Sequence, residues 1–465
     1  MISFEKFQNK KIAILWYGRE GKSSLQFLLK IGISPQNITI LDGAKKIEWL
    51  AANFEYFSKI FGIEPEFNMT FGDTYLDNLK KFDIIIKTPG ISLYHEKIYP
   101  YRHKLSSQAQ IFFDYYQGKI LAVSGTKGKS TTSTLIYETL KNAKKKVQLI
   151  GNIGNPVLDY LDIENVKSQE DEYVVFEVSS YMLEWLKKKN YISILLNIYP
   201  DHLDRHNGFD NYQKAKFNII YGSEHNLIRY EILNKNDLDS DDFKEYNARI
   251  FGRSGEYVYT WWNFFAHNHK IFDDKEILLK GEHNMMNICS VIGVCDIMKI
   301  DYKILEETLK TFQGLPHRME IVGTYWWITR IDDAISTTPE STIQAIKTFG
   351  KQIDTIFLGG TDRGYVFDDL IACIREYGIR NVVLFPDSGK RIAQTIKDDE
   401  TQLGKDIVRI HMFQTNDMKE AVKFAYKYTK HEGICLLSTA SPSYSLRKNF
   451  EEKWNLFKQY IQELS

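Results

Sequence analysis

Short apolar runs along the chain alternate with stretches in which apolar residues recur every three or four positions. The runs predict buried strands, and the helical spacing predicts helices that pack on them. In the first hundred residues we predict strands at 11–17, 38–41 and 82–86, with a helix at 24–31. A strand–helix–strand unit of this kind is typical of a parallel sheet covered by helices.

The middle of the chain continues the alternation. Strands are predicted at 119–123, 173–178 and 192–197, and helices at 209–220 and 281–298. Between these helices, residues 225–280 predict a meander of short strands to which we assign no chemistry. The tryptophan pairs 261–262 and 326–327 are predicted to lie within strands.

A third alternating region begins near residue 315. Its predicted strands are 325–331, 353–358, 381–385 and 433–437, and its predicted helices are 341–350, 366–377, 388–397, 417–429 and 446–464. A chain of 465 residues exceeds one ordinary core. We therefore predict an α/β protein with three domains: a Rossmann-like domain over 1–103, a central P-loop ATPase-like domain with a mostly parallel sheet over 104–314, and a Rossmann-like domain over 315–465.

Composition and charge exclude several classes of protein. Sixty basic and sixty acidic residues balance, which gives no indication of nucleic acid or an anionic membrane as partner. No apolar run reaches the roughly 18 residues that span a bilayer, and the charged N-terminal segment does not resemble an export signal. The four cysteines, Cys289, Cys295, Cys373 and Cys435, lack metal-ligand spacing. We expect them to be reduced, in a cytoplasmic protein.

One glycine-rich turn dominates the candidate chemistry. It follows the strand at 119–123 and consists of Gly125, Thr126, Lys127, Gly128, Lys129, Ser130 and Thr131. Strand, glycine turn, Lys-Ser and helix is the order that holds nucleotide phosphates, with a hydroxyl on the metal. Two residues separate the glycines where the usual pattern has four, so a plain turn with positive φ is the alternative.

Other polar groups also follow predicted strands. Glu177 ends one strand and suits either a Mg²⁺ ion or a salt bridge. The segment 201–206 holds two acids, two histidines and an arginine, as a site or as a surface cluster. Downstream, Tyr212 and Lys216 lie one helical turn apart.

Two further sets lie outside this region. Asp42 lies about 20 residues beyond an N-terminal glycine turn, where a ribose contact would fall, and the loop 88–91 follows the next strand. Asn284 and Asn287 share a helix face, where they suit a nucleotide contact or a helix cap. Loops 332–338, 359–364 and 438–444 all follow strands, so we expect them to converge on one edge. These loops favour phosphoryl transfer to a substrate bound between domains.

The chain resembles the Mur ligase family in six motifs that occur in the family's order and spacing. They are GTKGKSTT, EVSSYMLE, NIYPDHLDRH, GEHNMMN, GLPHRME and DDAISTTPEST. The resemblance runs from about residue 12 to 451 and is closest to the glutamate-adding branch, because of the loop 88–91, the segment 179–184 and the ending 437–451. It implies ATP-dependent joining of glutamate to UDP-N-acetylmuramoyl-L-alanine through an acyl phosphate, by a cytoplasmic and monomeric enzyme of peptidoglycan precursor synthesis.

The same resemblance implies a role for each matching residue. Residues 125–131, Asn284, Asn287, Arg318 and Asp333 would bind ATP, with Lys129 on its phosphates. Ser130, Thr131, Glu177, His202 and a carbamylated Lys216 would bind Mg²⁺. Asp42, Thr88, Gly90 and Asn152 would contact the UDP-linked substrate in the first domain. Thr337, Arg363, Ser443 and Tyr444 would bind glutamate in the third.

Two positions depart from the pattern of the D-glutamate-adding enzymes. Ile335 and Arg363 stand where those enzymes usually carry lysine, and the surrounding segments resemble a variant that adds L-glutamate. We predict D-glutamate, with the L-glutamate enzyme as the alternative. A folylpolyglutamate synthase-like ligase would lack the first hundred residues as a separate module. A non-catalytic nucleotide-binding regulator would not need Glu177, His202 and Lys216 together.

Overall fold

The computed structural model describes residues 4–44, 68–151, 156–163, 169–184, 186, 190–235, 247–279, 281–315, 319–404, 408–442 and 450–464. Residues 1–277 with 282–312 form one compact unit, and residues 278–281 with 313–465 form another. Among the described residues, the first unit contains two β-sheets and the second contains one. Mixed α/β architecture with mostly parallel sheets confirms the predicted fold class. The three predicted domain ranges remain a prediction.

Strands β1 to β5 form the first sheet, in the order β3-β2-β1-β4-β5. They are Ile12–Leu15 (β1), Ile38–Asp42 (β2), Asn68–Phe71 (β3), Ile84–Lys87 (β4) and Leu105–Ser106 (β5). All neighbours pair in parallel. Helix Arg19–Lys30 (α1) packs on β1, and helix Gln108–Tyr115 (α2) follows β5 along the chain.

Nine strands form the second sheet, in the order β14-β13-β12-β11-β10-β9-β6-β8-β7. They are Lys119–Ser124 (β6), Val147–Gly151 (β7), Tyr173–Glu177 (β8), Ile192–Leu195 (β9), His225–Arg229 (β10), Ala248–Gly252 (β11), Tyr257–Thr260 (β12), Asn263–Ala266 (β13) and His269–Asp273 (β14). Its helices are Lys129–Asn142 (α3), Ser180–Leu183 (α4), Leu203–His206 (α5), Phe209–Phe217 (α6), Tyr230–Lys235 (α7), Glu282–Met298 (α8) and Tyr302–Thr311 (α9). The central strand β6 is fully buried from residue 121 to 124, as expected for a parallel sheet with both faces covered.

The third sheet lies in the second unit and has the order β15-β16-β20-β17-β18-β19. Its strands are Glu320–Tyr325 (β15), Ile328–Asp332 (β16), Ile353–Leu358 (β17), Asn381–Leu384 (β18), His411–Gln414 (β19) and Ile434–Leu437 (β20). Its helices are Pro339–Phe349 (α10), Asp368–Glu376 (α11), Ser388–Leu403 (α12), Met418–Tyr428 (α13) and Phe450–Glu463 (α14). Every pair except β15–β16 is parallel.

The prediction for the two tryptophan pairs was wrong. Trp261 and Trp262 form the turn between β12 and β13, and Trp326 and Trp327 form the turn between β15 and β16. All four have positive φ and are at least 64% exposed. A two-residue hairpin turn of type I′ has positive φ at both positions, which matches the twist of the flanking strands. The predicted strand 325–331 is therefore the end of one strand, a turn and most of another.

Candidate active site

The glycine-rich turn between β6 and α3 has the geometry of a phosphate-binding loop. Gly128 precedes the 14-residue helix α3 with φ +86°. A Cβ atom there would lie 2.8 Å from Asn287 Oδ1, so the position requires glycine for two reasons. The first amide groups of α3 are oriented toward any anion bound at the loop, as is the positive end of the helix dipole.

Two residues that the sequence analysis did not assign to the site hold the loop in place. Asn197 Oδ1 accepts from the Lys127 amide at 2.8 Å, and Asn197 Nδ2 donates to the Lys127 carbonyl at 2.9 Å. Tyr212 OH lies 2.8 Å from Thr126 Oγ1. Both residues stand in segments that the sequence analysis had marked for other reasons, but only tertiary structure brings them to the loop.

Lys129 begins α3 and folds back over the loop. Its Nζ donates to the carbonyl oxygens of Gly125 at 2.9 Å and Thr126 at 3.0 Å. The ammonium group is thus held beside the loop amides, where a phosphate oxygen would replace carbonyl oxygens as its acceptor. Ser130 and the buried Thr131 follow in the first turn of the helix.

Glu177 and Lys216 lie at the edge of the sheet from which the loop leaves β6. Glu177 ends β8, pairs in register with Val123 of β6, and is 1% exposed. Lys216, on α6, donates from Nζ to Ser124 Oγ at 3.1 Å and to the Gly125 carbonyl at 2.8 Å. The structure therefore brings both predicted residues to the start of the loop.

Burial lowers the pKa of Lys216 well below that of an ordinary lysine, and the neighbouring Lys129 cation lowers it further. The carboxylates of Asp201 and Glu177 oppose this shift. A neutral amine is the form of lysine that reacts with CO₂, so the surroundings of Lys216 favour carbamylation.

His202 lies between β9 and α5, with φ +53°. Its ring centroid is 5.2 Å from that of Tyr181, and its Nδ1 is 3.8 Å from Asp201 Oδ1. Burial lowers the pKa of His202, as do the cations of Lys129, Lys216 and Lys127, while Asp201 opposes them. A lowered pKa keeps the imidazole neutral near pH 7, which is the form that binds metals.

Within the residues that the structure describes, no group of three or more His, Cys, Asp or Glu side chains is arranged to hold a metal ion. Mg²⁺ does not need one, because it is usually bound by one or two carboxylates together with substrate phosphates and water. A single buried carboxylate, Glu177, at the end of a strand beside the loop fits this mode of binding.

Asn284 and Asn287 share one face of α8, as the sequence predicted. They are buried, with Asn287 Nδ2 3.4 Å from Asn284 Oδ1. Because a Cβ atom on Gly128 would contact Asn287, this face adjoins the phosphate-binding loop. A nucleotide whose phosphates occupy the loop would therefore have two amide side chains next to it.

At the first sheet, Asp42 has a structural role. Its Oδ2 accepts from the Tyr17 amide at 2.9 Å and its Oδ1 from the Ala44 amide at 2.9 Å. Contact with a uridine remains a prediction for this residue. The loop 88–91 follows β4, and a Cβ atom on Gly90 would lie 2.3 Å from the Trp16 ring. Thr88 Oγ1 is buried and, within the described chain, has no hydrogen-bond partner.

In the second unit the loops after β16, β17 and β20 meet, as predicted. Asp333 Oδ2 accepts from Ser438 Oγ at 2.8 Å, and the Gly359 amide donates to the Thr439 carbonyl at 2.8 Å. Thr337 is half-buried beside these loops, and Arg363 is exposed on the loop after β17. Ile335, at 39%, is also exposed. The predicted residues Arg318, Asn152, Ser443 and Tyr444 lie outside the described residues.

The fold and the loop are those of α/β proteins that hold nucleotide phosphates where a buried strand turns into a helix. Comparison with known proteins identifies the family. The model of the Mur ligase middle domain matches residues 123–295. The UDP-N-acetylmuramoylalanine–D-glutamate ligase of Acetivibrio thermocellus is 30% identical, with 99% of this chain and 98% of that protein covered. The chain belongs to the Mur ligase family.

Other comparisons agree. Enzymes with the same name from Thermoanaerobacter sp. and Clostridioides difficile are 30% and 28% identical, and each alignment covers at least 98% of this chain and 99% of the other protein. Among solved structures, the UDP-N-acetylmuramate-alanine ligase MurC of Thermotoga maritima has a TM-score of 0.59 at 18% identity and covers 98% of this chain and 100% of its own. The MurF ligase of Thermotoga maritima in complex with ADP has a TM-score of 0.58 at 16% identity, covering 100% and 98%. These two structures support the fold.

None of the described helices is long and apolar enough to cross a membrane.

Proposed function

We propose that this protein is an ATP- and Mg²⁺-dependent ligase that joins D-glutamate to UDP-N-acetylmuramoyl-L-alanine in peptidoglycan precursor synthesis. The observation that carries the proposal is the similarity, at 28–30% identity over at least 98% of the chain, to relatives that are all named D-glutamate ligases. Both the ATP and the UDP-linked precursor are cytoplasmic metabolites, which supports a cytoplasmic location. A monomer remains our prediction.

ATP would bind with its phosphates on the loop 125–131. Lys129 Nζ would exchange its two carbonyl acceptors for phosphate oxygens, and Asn284 and Asn287 would contact the nucleoside. Ser130 or Thr131 with Glu177 would hold a Mg²⁺ ion at the phosphates, and His202 with carbamylated Lys216 would hold a second. When bound, these ions neutralise charge that builds up on the transferred phosphoryl group.

The reaction would proceed in two steps. A carboxylate oxygen of the alanyl group attacks the γ-phosphorus of ATP, which releases ADP and forms an acyl phosphate. The neutral amine of glutamate then attacks the acyl carbon, loses a proton and displaces inorganic phosphate, which leaves an amide bond. The protein would contribute by positioning the three reactants and by placing positive charge where negative charge develops.

Glutamate would bind at the loops after β16, β17 and β20, near Thr337, Arg363, Ser443 and Tyr444. Arg363 would pair with a glutamate carboxylate through its planar guanidinium, a bidentate contact that lysine does not form. L-glutamate is the second candidate, because Ile335 and Arg363 replace the usual lysines of the D-glutamate enzymes. The names of the similar enzymes, which are all D-glutamate ligases, favour D-glutamate as the substrate.

The test is a phosphate-release assay with Mg-ATP, UDP-N-acetylmuramoyl-L-alanine and either enantiomer of glutamate. We expect release that requires D-glutamate and the UDP-linked substrate together. Release with L-glutamate only would support the second candidate. Absence of release with both enantiomers would refute the ligase proposal.

A further inference from the structure

Four consecutive backbone carbonyls in the loop 88–91 accept hydrogen bonds from two cationic side chains. Lys87 Nζ lies 3.2 Å from the first carbonyl oxygen and 2.5 Å from the fourth. Arg205 donates from Nη2 to the second at 2.7 Å and from Nη1 to the third at 2.5 Å. Charge-assisted bonds of this kind fix a loop more firmly than backbone bonds alone.

The donors of the same loop are less occupied than its acceptors. The Gly90 amide donates no hydrogen bond to any described residue, and the buried Thr88 Oγ1 is also without a partner among them. The Ile91 amide closes the turn on the Thr88 carbonyl at 3.3 Å. The carbonyl groups of this loop are already hydrogen-bonded, whereas the Gly90 amide and the Thr88 hydroxyl are not, within the part of the chain that the structure describes. Such a loop, beside two cations, is suited to bind an anion.

Both cations are held by their surroundings. Lys87 ends β4 and is 1% exposed. Arg205 lies on α5, its guanidinium carbon is 5.0 Å from the centre of the Tyr181 ring, and its carbonyl accepts from Ser92 Oγ at 2.7 Å. The bond from Ser92 comes from just beyond the loop, so the loop and α5 hold each other.

Two carboxyl groups, those of Glu184 and Glu20, complete the charged cluster formed by Lys87 and Arg205. Glu184 follows α4, and its side chain is 3% exposed, 3.3 Å from His206. Burial raises the pKa of Glu184, and the Lys87 and Arg205 cations oppose the shift. Burial lowers the pKa of Lys87, against the charges of Glu184 and Glu20. Lys87 is buried and Arg205 is half-buried, and burying a charge costs free energy, so holding this turn with two cations is costly unless the loop also serves a ligand.

We infer that Lys87 and Arg205 are positioning residues for the diphosphate of the UDP-linked substrate. They hold the loop 88–91 so that its unused donors among the described residues, the Gly90 amide and the Thr88 hydroxyl, are available to that anion. This inference deepens the proposed function and rests on it for the identity of the ligand. Neither side chain needs to touch the substrate. Their common effect is on the affinity for the diphosphate, whereas ATP and glutamate bind elsewhere.

The main test is Arg205→Lys, which keeps the charge but cannot bind two carbonyls through a planar fork. We expect the KM for UDP-N-acetylmuramoyl-L-alanine to rise about tenfold, as for the loss of one charge-assisted hydrogen bond. The KM values for ATP and glutamate and the kcat should change less than about twofold, since the catalytic loop is untouched. Lys87→Met should shift the same KM in the same direction.

Arg375→Lys is the matched control. Arg375 also donates to a backbone carbonyl, that of Val408 at 2.7 Å, but it lies in the second unit and pairs with Asp399. The Arg375→Lys variant should leave the KM values for the UDP-linked substrate, ATP and glutamate unchanged. Thermal unfolding of each variant separates a folding defect from a change in binding, and an Arg205→Lys variant that unfolds too early is replaced by Lys87→Met in the same assay.

A separate binding titration with UDP alone distinguishes this inference from the proposed function. If the wild type binds UDP but shows no turnover, the function fails, while the inference still requires weaker UDP binding in Arg205→Lys than in Arg375→Lys. Equal affinity in the two variants would overturn it. So would a wild type that does not bind UDP, or an Arg205→Lys variant in which the KM for ATP rises as much as that for the UDP-linked substrate.

Discussion

Replacement of Gly128 by alanine should damage ATP use more than protein stability. Gly128 has φ +86°, and an alanine in the left-handed region costs about 1–2 kcal/mol. The added methyl group would also lie 2.8 Å from Asn287 Oδ1 and 3.0 Å from its Nδ2, closer than carbon normally approaches either atom. Asn287 is 4% exposed, so it cannot turn away into solvent.

The loop must therefore either move or displace Asn287, and both groups belong to the proposed ATP site. A perturbation of about 1–2 kcal/mol that acts on ATP binding corresponds to a factor of about 5–30. We expect kcat/KM for ATP to fall by that factor in a phosphate-release assay with the other two substrates saturating.

Gly404→Ala supplies the control. Gly404 follows α12 with φ +89°, and a Cβ atom there would have no neighbour within 4 Å. An alanine at position 404 has the same backbone strain as one at position 128 but does not collide with another side chain. Residue 404 is also far along the chain from the phosphate-binding loop. Both variants should lose thermal stability through the backbone strain, Gly128→Ala by more because of the collision, and only Gly128→Ala should lose activity with ATP. If the two variants had the same kcat/KM for ATP, the proposed role of the Gly128–Asn287 contact would be refuted.

Three further predictions test other parts of the account. Lys129→Ala should abolish phosphate release while the thermal unfolding midpoint stays near that of the wild type, and normal turnover would exclude Lys129 from phosphate binding. Glu20→Gln should stabilise the protein at alkaline pH. Burial raises the pKa of Glu20 from 4.5 to about 7, so its stabilising contribution is complete below pH 4.5 and lost as the pH rises through 7. At about 1.4 kcal/mol per pKa unit the gain is at most about 3.5 kcal/mol. Denaturant unfolding at pH 5 and pH 8.5 should show the larger gain at pH 8.5, and equal gains would contradict the assignment. Arg363→Ala should raise the KM for glutamate and leave that for ATP unchanged, and the reverse pattern would remove Arg363 from the glutamate site.

Much of the fold followed from the sequence because buried parallel strands are continuous apolar runs. β6, β8 and β17 were predicted within one residue at each end for this reason. β19 was not, since its sequence, His411–Gln414, is half polar and lies exposed at the sheet edge. The tryptophan turns were misassigned because aromatic residues favour strands, whereas hairpin turns are usually marked by Asn or Gly.

The candidate site, like the fold, was predicted from the sequence only in part. The phosphate-binding loop was predicted because its residues are consecutive and its chemistry is local. Asn197 and Tyr212 were not assigned to it, because they approach it only in the folded chain, 70 and 86 residues away. The contact between Arg205 and Gly90 spans 115 residues, and no pattern along the sequence indicates it. Sequence patterns thus located the groups that act on ligands better than the groups that hold them in place.

The central claim is that this chain joins D-glutamate to UDP-N-acetylmuramoyl-L-alanine at the expense of ATP. The most direct measurement is the rate of phosphate release with purified protein, Mg-ATP and the UDP-linked substrate, with D-glutamate, L-glutamate or no amino acid added. The account predicts release with D-glutamate well above the rate with L-glutamate or none. No release with either enantiomer, or release with L-glutamate only, would contradict it.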